Sequence, residues 1–442
     1  MAITHSKYNR HMHMQPWTVR GLKQAFASGA TSPTALVKQA LANTNSNAGH
    51  NTYVWRDEAW TLAEAQHVEA TENNAYAPLW GLPVAVKDCF DLAGSPMTCG
   101  VKFYRDLNGI ASQDSWLVAR LRSLGAVITG KTHLHPLAYG VTGENPEFGD
   151  CVQPGRPDRL TGGSSSGSAA SILEGSAVAA IGTDTGGSVR VPAALCGLAG
   201  YRSTLGRGDW SGAGHLAQSF DTMGWLFRDL EDAPLLGSIF APENPPNPRP
   251  FTCFATIDTA FLNDCESAIT VEMETCAREL EALGLRHSTF DAEFWEDAFE
   301  IYAPIQAWEA ARIHAGHFEH FAAGIRERLE WGAHIGDAEL ALLRERHSEF
   351  RARVDAQFAE HQLLILPASP VAALLAGADN SQARARILRY TTPFSLAGVP
   401  VVTVPYTVGG MQIASARETD ESLLELTRVM GKQRKLAAPS TT

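Results

Sequence analysis

Two glycine- and serine-rich stretches, Thr161–Ser171 (TGGSSSGSAAS) and Gly182–Pro192 (GTDTGGSVRVP), lie directly against runs of Ala, Ile, Val and Leu. In a polar setting such a tract reads as a flexible linker. Apolar flanks change that reading, because they place each tract beside a core, where every hydroxyl and amide of a buried turn needs a partner. Any fold available to this chain must therefore carry two polar turns inside it, and their small residues let backbone approach another group closely. A third unusual position is Lys87, set in the apolar run GLPVAVKDCF.

The surrounding pattern is that of an α/β protein. TVRGLKQAFASG, SPTALVKQALANT with Ser32 as N-cap and Pro33 in the first turn, and DEAWTLAEAQHVEATE read as helices. LPVAVK is a short apolar strand, and Ser112 is expected to cap the helix QDSWLVARLRSL, closed by Gly125 and followed by the strand AVITG. The helix GSAASILEG and the strand AVAAIGTD come next. The second motif thus sits just beyond a strand end, where open α/β sheets take their ligands.

Residues 209–237 read as loop and then a helix start, and APENPPNPRP as a proline-rich surface connection. From about residue 263 to 359 apolar residues recur at three and four, which predicts mostly helix. LLILP, VPVVTVPY and MQIASA then return to strand, and ESLLELTRVMGKQRK is a last amphipathic helix before a short polar tail. Both ends of the chain are expected to feed one sheet.

Composition sets outer bounds. In 442 residues, 45% hydrophobic content with 19% charged residues fits a folded enzyme-sized core and not a disordered or coiled-coil chain. A formal charge of −12 repels phosphate backbones and anionic lipid, so direct nucleic-acid or membrane binding is not expected. The start, MAITHSKYNRHMHMQPW, lacks the apolar stretch of a secretion signal, which makes the cytoplasm the default expectation. Seven scattered cysteines (Cys89, Cys99, Cys151, Cys196, Cys253, Cys265, Cys276) show neither a disulfide framework nor a zinc ribbon and read as reduced, buried thiols.

In TDTGGS the amides of Thr185, Gly186, Gly187 and Ser188 can converge on one concavity, the geometry of an oxyanion hole. One such donor is worth about 3 kcal/mol of transition-state stabilisation, so amides beside a serine hydroxyl form a credible acyl-transfer centre. A phosphate-binding turn is the competing reading, but the strand, glycine loop and lysine order of nucleotide sites is missing. A serine also needs a base. Histidine is the usual choice, and a Ser-His-Asp arrangement stays open because its members can be distant in sequence, although G-x-S-x-G is absent around Ser188.

Lys87 is the other base, provided burial brings its pKa from about 10.4 toward 7 or 8; the alternative is a lysine that snorkels to the surface from a strand end. His133 and His135 form H-x-H, which keeps a metal site in view. A cysteine nucleophile at Cys89 or Cys196 has no clear histidine partner.

GLPVAVKDCFD, TGGSSSGSAAS and GTDTGGSVRVPAALCGLAGY, in this order, resemble the three hallmark segments of the amidase signature family. The resemblance runs from about Gly81 to Asp229, including QSFDTMGWLFRD, and more weakly through TTPFSLAGVPVVTVP. It implies an α/β/α sandwich with a large mixed central sheet covered by helices on both faces. The implied organisation is one domain over 1–442, with a signature core at about 60–240, a helical cover at about 255–360, and C-terminal strands and helix at 361–435 returning to the core.

By position, Ser188 resembles the nucleophile, Lys87 the terminal base and Ser164 the serine that relays the proton between them, after a cis peptide bond from Gly163. Thr185, Gly186 and Gly187 fall in the oxyanion loop, Ala138 lines the acyl pocket, and Asp184 and Arg190 brace the loop. The KTHLHP segment aligns with one that binds no metal, and no cofactor is implied.

The resemblance implies hydrolysis of a small carboxamide through an acyl-enzyme, with wording nearest the indoleacetamide hydrolase-like branch and hence an aryl- or indolyl-acetamide-like acyl group. Hydrolysis of urea-derived compounds of the allophanate, biuret or carboxybiuret type is the first alternative, and a glutamine-hydrolysing subunit of a tRNA-dependent amidotransferase the second. A catalytically dead scaffold is disfavoured because all three reactive positions are present. A small-molecule amide is the expected partner, and a homodimer is left open.

Overall fold

A computed structural model of the chain describes residues 17–71 and 77–437. The readings of the chain's first 16 residues and of the tail after residue 437 fall outside that range.

The first strands are β1 (Tyr53–Trp55), β2 (Pro83–Lys87) and β3 (Val127–Thr132), and a small separate hairpin pairs β4 (Val152–Gln153) with β5 (Arg156–Leu160). Then come β6 (Ala179–Asp184), β7 (Ala199–Arg202), β8 (Thr222–Phe227), β9 (Cys253–Ile257) and β10 (Arg286–Phe290). The last three are β11 (Leu363–Pro367), β12 (Val401–Pro405) and β13 (Gly410–Ser415). Among the described residues eleven strands form one mixed sheet in the order β1-β3-β2-β6-β8-β7-β12-β13-β11-β9-β10. This is an α/β fold with a large central sheet and covering helices.

The strands β2, β3 and β6 run parallel and are buried at every residue, as expected where helices cover both faces of a parallel segment. The helix Ser166–Glu174 packs on this group, while Ser267–Ala282 and Asp420–Ala437 pack on strands of the other half. Helices Ala298–Ile313, Ala323–Ala333, Asp337–His361 and Ser381–Ala397 pack on one another. No helix among the described residues is long and apolar enough to cross a membrane.

Three local readings need correction. The TMGWLF segment, read as loop and helix start, is β8, a central strand buried at all six residues; without an exposed face it has no alternation to mark it. The strands β9 and β10 extend the sheet from inside the stretch read as helical cover. β10 (RHSTF) is an edge strand exposed at four of its five residues, so it lacks a hydrophobic pattern. The helix assigned to a Ser112 cap begins at Trp116, and Ser115 is its cap, accepting from the Val118 amide at 3.3 Å. Ser32 caps its helix as expected, accepting from Ala35 N at 3.3 Å.

Gly167 shows how closely the first serine-rich turn is seated. A Cβ there would lie 2.1 Å from the Thr52 carbonyl oxygen and 2.4 Å from the His133 amide nitrogen, both backbone atoms that cannot step aside. Gly167→Ala is expected to lower the unfolding free energy by about 1–3 kcal/mol in a denaturant titration. An unchanged midpoint would contradict this packing of the helix start against β1 and β3.

Candidate active site

Because β2 and β6 are parallel, with Val86 opposite Ile181, their C-terminal ends share one edge of the sheet. Lys87 ends β2, Thr183 and Asp184 end β6, and the second motif leaves directly from there. The first motif is tied to the second by backbone, since Ser165 N–H donates to the Ser188 carbonyl at 3.1 Å. The peptide bond between Gly163 and Ser164 is cis.

Lys87 is 0% exposed, so the snorkelling alternative does not hold. Its Nζ lies 2.7 Å from Ser164 Oγ, 2.7 Å from Thr183 Oγ1 and 3.4 Å from the Thr183 carbonyl oxygen. Burial depresses its pKa from 10.5, and the carboxylates of Asp184 and Asp221 only partly oppose this. An uncharged amine has two N–H bonds and one lone pair. With the carbonyl able only to accept, that set matches one N–H to each Thr183 oxygen and the lone pair to the Ser164 hydroxyl hydrogen. Sequence reasoning does not single out Thr183, although it stands within the motif itself.

The loop after β6 is organised by Asp184. Its carboxylate accepts from the amides of Gly187 (2.9 Å), Val189 (3.0 Å) and Arg190 (3.2 Å), and it meets the guanidinium groups of Arg190 and Arg202 at 2.8 and 2.9 Å. Burial alone would raise the Asp184 pKa, but the two arginines reverse that and hold the carboxyl well below its ordinary value. Arg190 donates all five of its N–H groups. Nε goes to Asp184 Oδ2, Nη1 to the Thr391 carbonyl and Gln412 Oε1, and Nη2 to Asp184 Oδ1 and Ser395 Oγ. Nothing remains on it for a ligand.

This bonding narrows the expected set of oxyanion donors. The Gly187 amide is committed to Asp184, whereas those of Thr185, Gly186 and Ser188 have no acceptor among the described residues. Gly187 adopts φ +117°, and a Cβ would come within 2.9 Å of the Thr391 side chain, so glycine is required to turn the chain here. Thr185 is anchored by its own hydroxyl, which donates to Asp221 Oδ1 at 2.6 Å.

Ser188 is 3% exposed, and its hydroxyl makes no hydrogen bond among the described residues, including to Ser164. With Thr185 and Gly186 it lines a narrow cavity whose other walls include Ala138, Tyr302, Gln306 and Arg384. The last three come from helices far away in sequence and carry no local signal. Wider grooves elsewhere, such as the one bordered by Trp17, Arg228 and Lys435, hold none of the motif residues.

The competing nucleophiles and ligands are placed differently. Both ring nitrogens of His133 are engaged, Nδ1 with Ser166 Oγ at 2.7 Å and Nε2 with the Gly149 carbonyl at 2.8 Å, and burial lowers its pKa to about 4. Burial likewise raises the thiol of Cys89 to about 11 and raises that of Cys196, which keeps both protonated.

Replacing Arg190 by methionine would leave the Asp184 carboxylate buried and short of its main partner. Arg190→Met is expected to destabilise the fold by about 3–5 kcal/mol in guanidinium unfolding. A loss under about 1 kcal/mol would show that the loop does not depend on this brace.

The family described as Amidase matches residues 35–424 of this chain. The indoleacetamide hydrolase of Pseudomonas savastanoi is 30% identical, over 96% of this chain and 99% of that protein. The fatty acid amide hydrolase of Oryza sativa subsp. indica is 28% identical, over 88% of this chain and 70% of that protein. A solved structure described as a crystal structure of amidase superposes with a TM-score of 0.85 at 28% identity, covering 95% of this chain and all (100%) of the other. The chain belongs to the amidase signature family and is a hydrolase acting on carbon–nitrogen bonds.

Proposed function

We propose that the protein hydrolyses a small primary carboxamide to a carboxylate and ammonia through an acyl-enzyme on Ser188. One observation carries this reading: a fully buried amine, Lys87 Nζ, lies 2.7 Å from the hydroxyl of Ser164, and Ser164 belongs to the turn bonded to the Ser188 backbone.

The roles follow from what each group can give or take. Lys87, uncharged, draws the Ser164 proton as Ser164 takes that of Ser188, and Ser188 Oγ attacks the amide carbon. Free amides at Thr185, Gly186 and Ser188 receive the developing oxyanion. Collapse of that intermediate breaks the carbon–nitrogen bond, and the proton stored on Lys87 returns through Ser164 to the departing ammonia. Water then attacks the ester by the same route in reverse. Without substrate the Ser188 hydroxyl makes no bond to Ser164; that contact closes in the substrate complex, as catalytic hydrogen bonds often do.

Ser188→Ala and Lys87→Ala should each reduce kcat by at least about a thousand-fold, with Ser164→Ala also severe. Ammonia release from a panel of primary amides, ureas and glutamine is the measurement, and it also separates the urea-derived and glutamine alternatives. A fluorophosphonate should label Ser188, located by peptide mass spectrometry; label on a cysteine would reverse the assignment.

The pH profile tests Lys87 independently. Only its deprotonated form accepts a proton, so kcat/KM should climb from the acid side and level off below 10.5, the value of an unburied lysine. A limb centred at that value would mean that burial does not tune the amine.

A further inference from the structure

Most arginines around the site are matched to carboxylates. On the helix Ser381–Ala397, Arg386 meets Asp264 at 3.3 Å, and Arg389 meets Asp264 at 3.1 Å and also pairs with Glu296. Arg190 and Arg202 share Asp184. Arg384, on the same helix and in the wall of the Ser188 cavity, is different: its guanidinium has no hydrogen bond or ion pair among the described residues.

Its surroundings do not compensate the charge. The cavity lining contains no aspartate or glutamate. Nearby acids are committed elsewhere: Glu144 accepts from Thr142 and Asn380, Asp379 accepts from the Ser381 amide, and Asp221 from Thr185 and His215. A second guanidinium, Arg328, stands close enough for the charge of Arg384 to disfavour its own; it donates to the carbonyls of Tyr139 (2.6 Å) and Gly324 (2.8 Å) and, among the described residues, to no carboxylate. Burial lowers the pKa of both arginines. Arg384 also sits in the first turn of its helix, where the macrodipole disfavours a cation and favours an anion.

We infer that Arg384 is the binding partner of a carboxylate on the substrate, so that the amide opened at Ser188 is the half-amide of a dicarboxylic acid and carries no ammonium group. This deepens the proposed function and rests on it for the position of the scissile amide. A guanidinium matches a carboxylate through two parallel N–H bonds, which fixes the far end of a short acyl chain while its amide reaches Ser188. An α-amino acid amide such as glutamine would bring an ammonium into a cavity lined by the Arg384 guanidinium and by no carboxylate. An aryl acetamide, the acyl type indicated by sequence wording, would leave Arg384 unpaired. In the reaction the carbon–nitrogen bond of the half-amide breaks, water supplies the new carbon–oxygen bond, and a dicarboxylate and ammonia leave.

Three compounds of one length test this: glutaramate, pentanamide, in which methyl replaces the carboxylate, and glutamine, which adds the ammonium. In ammonia-release assays of the full chain, kcat/KM for glutaramate should exceed each of the others by at least about 50-fold. Arg384→Met should bring the ratio of glutaramate to pentanamide close to one, mainly through KM, and Arg384→Lys should recover part of it. Calorimetry on Ser188→Ala should detect glutaramate binding that disappears when Arg384→Met is added. Equal use of pentanamide, preference for glutamine, or a ratio untouched by Arg384→Met overturns the inference while leaving amide hydrolysis intact. Arg384-dependent binding of glutaramate with no ammonia released from any amide overturns the reading of Ser188 and leaves this one standing.

Discussion

The buried carboxylate of Asp184 is the constraint on which the active region depends. Three loop amides and two guanidinium groups converge on it, and their combined charge keeps it ionised where burial alone would neutralise it. Its bonds fold the backbone after β6 so that the Gly187 amide points inward and its neighbours stay unbonded. A buried ion pair of this kind is a weak source of net stability, since desolvation offsets much of the attraction. Its return is positional: it fixes one loop conformation, and with it where the Ser188 hydroxyl sits.

The treatment of charge differs between the two halves of the site. At Lys87 the protein removes water and supplies only hydroxyl and carbonyl partners, which favours the free amine. At Asp184 it removes water too, but supplies two arginines, which favours the anion. Opposite outcomes from equal burial show that local partners, not depth, decide ionisation here. Arg384 is a third case, a partly buried cation with no hydrogen-bond or ion-pair partner among the described residues, which leaves its charge for a ligand to meet.

Much of this was legible in the residues themselves. Apolar runs marked β2 and β6 because parallel strands covered on both faces need nothing else, and glycine with serine between apolar flanks marked the two turns. Lys87 stood out for its charge in such a run. Other features were not readable locally. TMGWLF lacks a polar face, so period could not tell strand from helix, and β10 is too polar to show a pattern. The commitment of the Gly187 amide depends on how Asp184 turns, which Arg202 on β7 and Arg190 set together. Tyr302, Gln306 and Arg384 reach the cavity from helices whose own spacing is generic, so only the tertiary arrangement identifies them.

The wiring of Arg190 has a consequence for biogenesis. Its acceptors at Thr391, Ser395 and Gln412 lie more than 200 positions downstream, at separations of 201, 205 and 222 residues. As the polypeptide emerges from the ribosome, the segment bearing Ser188 is made long before the residues that lock it, and β12 and β13 must still insert at the middle of the sheet. A nascent fragment that stops short of Gln412 therefore lacks the acceptors that hold Arg190, and the loop after β6 is locked only once β12 and β13 have been made.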